Sequence, residues 1–260
     1  MNNTNVIKEF YEKYNEDDRF TKDKAHSIEY LTTKHYIEKN LKKGDRILEI
    51  GAGTGAYSIN YAKEGYKVDA IELSTRNLSI LKSKITDDMD INAIEGNALD
   101  LSMYEDNIFD VTLLLGPLYH LFTEEEKEKV IREALRVTKK DGFIYIAYIT
   151  SDSIVVSNFL KKHRLLELKK LSDENYKLID KVEEIFNNFY VEEFNNLMNK
   201  YNIEHITSFA TEGLSYIMKE YVNDLSEEEF NIWVDYHLKN CERKELLSYS
   251  THVIYIGKKK

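Results

Sequence analysis

A carboxylate stands two residues ahead of a glycine-rich turn in the stretch "RILEIGAGTGAYS". Glu49 precedes Gly51 and Gly53, whose missing side chains let a ligand approach backbone N–H groups at the start of a helix. The segment "GAGTGA" also satisfies the dinucleotide pattern G-x-G-x-x-G/A, and Glu72 follows Gly51 by about 20 residues, as that pattern requires. The turn therefore predicts a nucleotide-type cofactor, and one interpretation is an NAD-dependent oxidoreductase.

The charge of Glu49 separates two kinds of cofactor. A pyrophosphate is negative, and at an effective dielectric of ~20 two like charges ~5 Å apart cost about 3 kcal/mol. S-adenosylmethionine (SAM) has no phosphate and carries a sulfonium and an ammonium, so a carboxylate attracts it. Glu49 therefore favours SAM over NAD.

Predicted strands and helices alternate along the chain on either side of this turn. Short apolar stretches are separated by patterns of helical spacing, which is typical of a mostly parallel sheet. The predicted strands are 46–51, 67–73, 90–97, 109–116 and 143–149, the last entered through a turn at Asp141 and Gly142. The predicted helices are 56–65, ending at Gly65, 74–85, beginning at Ser74 or Thr75, and 124–140, begun by a capping box of Thr123 and Glu126.

The second half of the chain departs from this alternation. Helices are predicted at 153–171, 191–201, 213–222 and 227–247, the last capped by Ser226 and Glu229, and strands at 203–210 and 252–257. The basic run within 153–171 is interpreted as the solvated face of an amphipathic helix, not as a nucleic-acid patch. Ahead of the sheet, residues 4–41 are predicted to form helices with little role in the core.

Four stretches, "LEIGAGTG", "AIELS", "EGNALDL" and "FDVTLLLGPLYHL", together resemble the class I SAM-dependent methyltransferases, most strongly over residues 43–150. The resemblance implies an α/β, Rossmann-like fold with a seven-stranded, mostly parallel sheet and a C-terminal antiparallel strand pair. Residues 1–42 would form an N-terminal helical lid and 43–150 the SAM-binding core. Residues 151–260 would add helical lid insertions and the last two strands of the same domain.

The resemblance also implies roles for single residues. Those that would contact SAM or its product S-adenosylhomocysteine (SAH) are Tyr11, Glu49, Gly51, Ala52, Gly53, Gly55, Glu72, Leu73, Asn97, Ala98 and Leu115. Glu49 and Tyr11 would lie at the methionine end, and Leu115 at the methyl group. Glu72 would bind both ribose hydroxyls, whereas Asn97 and Ala98 would meet the adenine. Many relatives have Asp in place of Asn97, whose carbonyl can still accept a hydrogen bond.

The implied reaction is an in-line displacement, in which a nucleophile on the acceptor attacks the sulfonium methyl carbon. Positioning can carry such a reaction, and a general base is needed only where the acceptor must lose a proton. The turn "GPLYHL" follows the fourth strand, at the edge where α/β proteins bind ligands. His120 is therefore the first candidate base and Tyr119 the second, although both rings could equally pack against the next helix.

A small-molecule acceptor is favoured, because insertions at 151–190 and 211–247 could enclose a pocket. The aromatic residues expected to roof it are Tyr216, Tyr221, Phe230, Trp233 and Tyr236. Three alternatives stay open: the oxidoreductase, a methyltransferase for RNA or protein, and a SAM-binding module without catalysis. The acceptor atom and the oligomeric state are left open as well.

The composition indicates which classes of partner are not expected. The formal net charge of −10, from 36 basic and 46 acidic residues, argues against nucleic acid as the main partner. Cys241 is the one cysteine, and with His237 it offers two ligands without a third, so no metal site is expected. The first 20 residues have no apolar segment of the signal-peptide kind, and no apolar run approaches the ~20 residues that span a bilayer. A cytoplasmic protein without membrane contact is expected.

Overall fold

The computed structural model describes residues 3–179 and 185–260. Within them, seven strands form one sheet: β1 (Arg46–Ile50), β2 (Lys67–Glu72), β3 (Ile91–Glu95), β4 (Phe109–Leu114), β5 (Thr138–Ile149), β6 (Ile203–Ala210) and β7 (His252–Lys259). Their order in the sheet is β3-β2-β1-β4-β5-β7-β6. Strands β1 to β5 are parallel, and β7 is antiparallel to both β5 and β6. The predicted Rossmann-like sheet with its C-terminal antiparallel pair is confirmed.

Burial explains the sequences of the central strands. β1 is buried from Ile47 to Ile50, and β4 is buried at every position except Asp110. A parallel strand covered on both faces needs such a continuous apolar run. Because β1 pairs with β2 on one side and β4 on the other, the strand order reverses there, and a crevice opens at the carboxyl ends of β1 and β4.

The helices of the described residues are α1 (Asn3–Tyr11), α2 (Lys24–Asn40), α3 (Ala56–Lys63), α4 (Thr75–Ser83), α5 (Glu124–Val137), α6 (Ser151–Ile154), α7 (Leu165–Leu171), α8 (Val191–Met198), α9 (Lys219–Asp224), α10 (Glu227–Asn240) and α11 (Lys244–Leu247). Ser74 and Thr123 cap α4 and α5, and Ser226 with Glu229 forms the capping box of α10. None of these helices is long and apolar enough to cross a membrane.

The N-terminal residues are not a uniform lid. α2 contributes Ala25, Ile28, Thr32, Thr33, Tyr36 and Ile37 to the interior. The ring of Tyr36 stacks on Phe209 of β6 at 4.0 Å between centroids, and the Tyr145 hydroxyl of β5 donates to the Tyr36 carbonyl at 2.9 Å. The expectation that residues 4–41 have little role in the core is therefore wrong for α2. Polar residues such as Thr32 interrupt the apolar face of this helix and hide it in the sequence.

The predicted helices of the second half are shorter than expected. The segment 153–171 divides into α6, a π-helical turn (Val155–Leu160) and α7, with His163 at φ +56° in the break. The segment 227–247 divides into α10 and α11, and 213–222 holds only a 3₁₀ turn and the start of α9. The part of the predicted insertion at 180–184 lies outside the described residues.

β5 also differs from its prediction. It begins at Thr138, five residues before the predicted start at Phe143, and runs through Asp141 at φ +62°. The register with β4 shifts between Phe109 and Val111, which accommodates the irregularity. The sequence "DG" is thus a kink inside the strand.

Candidate active site

A cavity opens at the carboxyl edge of the sheet, over the ends of β1 and β4. The space among its lining residues, including the opening to solvent, is about 1270 Å³. Every residue predicted to serve the cofactor or catalysis lies in its wall except Gly55.

Gly55 has a structural role instead. It caps α3 at φ +86°, and a Cβ atom there would lie 2.8 Å from Cγ of Leu81. The requirement for glycine therefore comes from the close approach of α3 to α4. Gly55 is not among the lining residues of the cavity, so its implied position under the cofactor stays a prediction.

The roof of the cavity comes from the N-terminal residues, including Tyr11, Glu16, Arg19 and Phe20. The five aromatic residues predicted to form it, Tyr216, Tyr221, Phe230, Trp233 and Tyr236, are not in its wall. Phe230 and Trp233 pack with Ala25 and Ile28 of α2. The predicted roof is wrong, because α9 and α10 pack against α2 rather than over the sheet edge.

The glycine turn is shaped by two close approaches. Gly51 has φ +76°, and a Cβ atom on it would lie 2.8 Å from the Pro117 ring of the turn after β4. Gly53 has φ +54°, and its Cβ atom would lie 3.2 Å from Cγ of Glu16. A side chain at Gly51 would therefore push the turn after β4 away from the cavity floor.

Glu49 is buried beneath this turn rather than exposed at an open mouth. Its Oε2 atom accepts hydrogen bonds from the backbone N–H of Ser58 at 2.9 Å and from the Ser58 hydroxyl, in the first turn of α3. Burial raises the pKa of Glu49 to about 8, although the bonds from Ser58 oppose this shift. A cation beside Glu49 would favour its ionised form, so the predicted preference for a cationic cofactor stays a prediction that depends on the ligand.

Glu72 and Asn97 hold the loops around them. Glu72 accepts from the N–H of Gly53 through Oε2 and from the N–H of Ser74 through Oε1, each at 2.7 Å. Asn97 accepts from the N–H of Leu99 at 3.0 Å. Carboxylate and carbonyl oxygens can each accept a second hydrogen bond, so the predicted contacts of these residues with ribose and adenine stay predictions.

His120 and Tyr11 are hydrogen bonded to each other. The Tyr11 hydroxyl lies 2.9 Å from Nε2 of His120, and Nδ1 lies 2.8 Å from the carbonyl oxygen of Ile185. Burial lowers the pKa of His120 to about 4, so its imidazole is neutral at pH 7. Tyr119 is buried beside it, and its hydroxyl donates to the Leu115 carbonyl at 3.1 Å.

Arg19 supplies a cation to the roof that the sequence did not single out. Its Nη2 atom lies 2.6 Å from Oε1 of Glu29, and its Nη1 atom lies 3.3 Å from Oε1 of Glu16. Burial acts to raise the pKa of Glu29, but Arg19 and His252 outweigh it and hold that pKa well below its usual range. In the sequence, the run "NEDDRF" looks like an ordinary solvated loop, and only the folding of α2 against the sheet brings Arg19 inward.

His252 is a second residue that the sequence left unassigned. It lines the cavity, and its Nδ1 atom lies 3.3 Å from Oε1 of Glu29. One ligand atom each of Glu29, Glu212 and His252 lies within 4.8 Å of the others, close enough for a metal ion. Arg19 already supplies the positive charge at Glu29, however, so we interpret the group as a polar network. The only sequence signal for it is a histidine at the start of an apolar strand.

The side chains of His237 and Cys241, the pair considered as metal ligands, each contact another group. The His237 Nε2 atom lies 3.1 Å from the Thr211 carbonyl oxygen, whereas Sγ of Cys241 lies 3.3 Å from the Tyr36 hydroxyl. Both residues are buried, and each contacts a different part of the fold.

Comparisons with known proteins agree with this architecture. Residues 47–142 match the family model of a methyltransferase domain. The putative methyltransferase YqeM of Bacillus subtilis is 27% identical over 109 residues, which cover 42% of this chain and 44% of that protein. The demethylmenaquinone methyltransferase of Renibacterium salmoninarum is 38% identical over 105 residues, covering 40% and 41%. The chain thus spans about half or less of the length of these relatives.

The similarity to solved structures covers more of the chain than the similarity to these relatives in sequence. A SAM-dependent methyltransferase of Thermotoga maritima, described as a possible histamine N-methyltransferase, has a TM-score of 0.59 at 21% identity, covering 99% of this chain and 100% of that one. Fold and site define a Rossmann-like methyltransferase domain. The chain contains a methyltransferase domain over residues 47–142, and its curated relatives and structural neighbours support the class I SAM-dependent methyltransferase family. The oxidoreductase interpretation is not retained.

Proposed function

We propose that this protein transfers a methyl group from SAM to a small-molecule acceptor. The observation that carries the proposal is one cavity that contains the predicted cofactor residues together with Tyr119, His120 and His252. A cofactor and an acceptor would meet over the carboxyl ends of β1 and β4, where both sets of residues line the same cavity.

The residues present fit SAM at both ends. Glu72 and Asn97 would bind the adenosine part, as the sequence predicts. Arg19, held by Glu16 and Glu29, would bind the methionine carboxylate through its remaining N–H donors. Glu49 would receive the ammonium. When bound, SAM supplies an electrophilic methyl group on a sulfonium.

Tyr11 and His120 are the proposed route for a proton that leaves the acceptor. Because the Tyr11 hydroxyl donates to Nε2 of His120, its oxygen remains able to accept from an acceptor molecule. The acceptor proton would pass to Tyr11 as the Tyr11 proton passes to His120. With a pKa of about 4, His120 is a weak base, so this route suits acceptors that lose a proton easily. Tyr119 would position the turn through its bond to Leu115.

The charge of the cavity favours a neutral or cationic acceptor. The described wall contains five glutamates, Glu16, Glu29, Glu49, Glu72 and Glu126, of which Glu49 is mostly protonated at pH 7, against two cationic side chains, Lys8 and Arg19. Lys8 is already paired with Glu95. A polyanion such as RNA would be repelled from such a surface, which disfavours the RNA alternative.

Cofactor binding tests the first half of the proposal. Calorimetry should show SAH bound more tightly than NADH, and stronger binding of NADH would contradict the proposal. The variant Arg19→Gln should weaken SAH by about tenfold, the scale of a charge-assisted hydrogen bond. It should leave 5′-methylthioadenosine unaffected, because this analogue has no carboxylate. An equal loss for both ligands would show that Arg19 acts on the fold and not on the methionine end.

Label transfer tests the second half. The protein is incubated with methyl-labelled SAM and a cell extract separated into small molecules, RNA and protein. We expect label among the small molecules. Label in RNA or protein would identify a macromolecular methyltransferase, and SAH binding without any transfer would identify a non-catalytic SAM-binding module.

A further inference from the structure

An exposed turn in the insertion after β5 is not used by the site described above. The chain reverses there between the π-helical turn and α7, and the N–H of Arg164 donates to the carbonyl oxygen of Phe159 at 2.7 Å. Every residue from 160 to 167 is exposed. We call residues 160–170 the basic corner, because five of them are Lys or Arg and one is acidic.

Apolar residues lie on both sides of the basic corner. Phe159 and Leu168 are buried and attach it to the rest of the protein. Leu160 and Leu165 are about half exposed, and Leu166 is 84% exposed. A solvated helix carries polar residues on its outer face, so the interpretation of this segment as a solvated amphipathic helix accounts for its lysines but not for these three leucines.

The positive charge of the basic corner is mostly not neutralised. Arg164 pairs with Glu167 at 2.5 Å. Where its lysines have a hydrogen-bond partner, that partner is a neutral carbonyl or amide oxygen. Within the described part of the chain, no ion pair is formed by Lys161, Lys162, Lys169 or Lys170. On a chain of net charge −10, the corner is therefore a local reversal of sign.

We propose that the basic corner docks the protein on an anionic lipid surface. Each Lys or Arg near such a surface strengthens binding by about fivefold, and exposed leucines can enter the boundary between headgroups and acyl chains. The leucines stand on an exposed turn and need no matching groove in the partner. Nucleic acid fits less well, because single strands are bound by aromatic stacking and the apolar residues of the corner are aliphatic.

The basic corner lies on the edge of the sheet at which the cavity opens. Its insertion leaves β5 after Ile149 and returns at Phe189, whose N–H donates to the Ile149 carbonyl at 2.9 Å. Lys161 donates to the carbonyl of Ile217, in the segment that follows β6 at the same edge. Lipid binding by the corner requires neither cofactor nor acceptor, so the inference stands apart from the proposed function.

Flotation with vesicles tests the proposal on the full chain. The vesicles contain phosphatidylcholine alone or with an equal part of phosphatidylglycerol. Wild type should bind the anionic vesicles and bind pure phosphatidylcholine far more weakly. Binding should be lost between about 0.1 M and about 1 M salt, as the Debye length falls from about 10 Å to about 3 Å.

Two variants separate the contributions of leucine and lysine. Leu166→Gln should weaken binding to the anionic vesicles by about tenfold, since an apolar side chain is no longer buried in the lipid. The double variant Lys169→Gln, Lys170→Gln should weaken it by about 25-fold.

Each variant has a matched control elsewhere on the surface. Ile232→Gln changes an apolar residue of α10 that is 65% exposed. The double variant Lys42→Gln, Lys43→Gln removes the same net charge from two exposed lysines outside the corner. Both controls should bind the vesicles like wild type. All four variants should keep the urea midpoint of wild type, because only exposed side chains are changed.

Absence of wild-type binding to the anionic vesicles overturns the proposal. An equal loss of binding in the corner variants and in their controls also overturns it, because overall charge or apolarity would then be responsible. If poly(U) RNA binds instead of the vesicles, and Leu166→Gln leaves that binding intact, the corner is a polyanion site and not a lipid-docking surface.

Discussion

The Tyr11 hydroxyl and Nε2 of His120 lie 2.9 Å apart and join the first helix of the chain to the turn that follows β4. Nδ1 of His120 lies 2.8 Å from a carbonyl oxygen, that of Ile185, which can only accept. The ring proton is therefore on Nδ1, and Tyr11 is the donor to Nε2. One neutral histidine thus links α1, the sheet edge and the segment at Ile185.

This link predicts the mobility of α1. In Tyr11→Phe the lost hydrogen bond, worth about 1 kcal/mol, should let α1 open more often. Amide exchange over residues 3–11 should then become roughly fivefold faster. Exchange in α2 should not change, because its apolar face belongs to the core. SAH should slow exchange in α1 of the wild type.

Hydrogen exchange with mass spectrometry checks this prediction, with Tyr14→Phe as the control, since Tyr14 is 42% exposed. Identical exchange of α1 in wild type and in Tyr11→Phe would show that the bond does not hold the helix. Fast exchange of α2 without SAH would instead support the expectation that residues 4–41 have little role in the core.

The sequence predicted what depends on local pattern. The apolar runs of β1 and β4, the glycine turn and the caps at Ser74 and Ser226 each lie within a few residues, and all were found. Tyr11 of the N-terminal roof was expected, but the role of Arg19 was not, because Arg19 enters the cavity only when α2 packs on the sheet, and nothing near "NEDDRF" shows that. His252 was missed for the same reason, since its partner Glu29 lies in a distant part of the chain.

Gly51 and Gly65 have similar backbone angles but different surroundings, and together they give a matched pair of variants. Gly51→Ala places a Cβ atom 2.8 Å from Pro117 at φ +76°. Gly65→Ala has a similar φ, +86°, with nothing within 4 Å. Both should lose about 1–2 kcal/mol of stability from left-handed strain, but only Gly51→Ala should also weaken SAH, by at least about tenfold.

Urea unfolding and SAH calorimetry on both variants distinguish the backbone strain of an alanine at positive φ from displacement of the turn at Pro117. If Gly65→Ala weakens SAH as much as Gly51→Ala, the contact with Pro117 is not what shapes the cofactor floor.

The raised pKa of Glu49 predicts proton release on cofactor binding. The free carboxyl, with a pKa of about 8, is mostly protonated at pH 7. An ammonium beside it favours ionisation, so SAH should bind with release of up to about one proton. Affinity should rise as the pH increases towards 8 and level off above it.

Calorimetry in two buffers of different ionisation enthalpy measures the released protons. The variant Glu49→Gln still accepts from the Ser58 N–H but cannot ionise, so its binding should release none and lose the rise with pH. Equal proton release in both proteins would place the titrating group elsewhere.

Acid stability gives the last prediction, and its sign follows from the lowered pKa of His120. The pKa is about 4 in the folded protein against an ordinary value of 6.5. Between these values the unfolded chain binds more protons at this residue, so its contribution to stability, fully present above pH 6.5, is lost as the pH falls towards 4. The slope of the free energy of unfolding against pH cannot exceed about 1.4 kcal/mol per pH unit for one group.

In His120→Gln the residue no longer titrates. The free energy of unfolding, measured with urea from pH 7 to pH 4.5, should therefore fall less steeply than in wild type. Other histidines titrate in both proteins, so the difference between the two curves isolates His120. Parallel curves would mean that His120 is protonated as easily in the fold as in water, and its neutral role between Tyr11 and Ile185 would then be wrong.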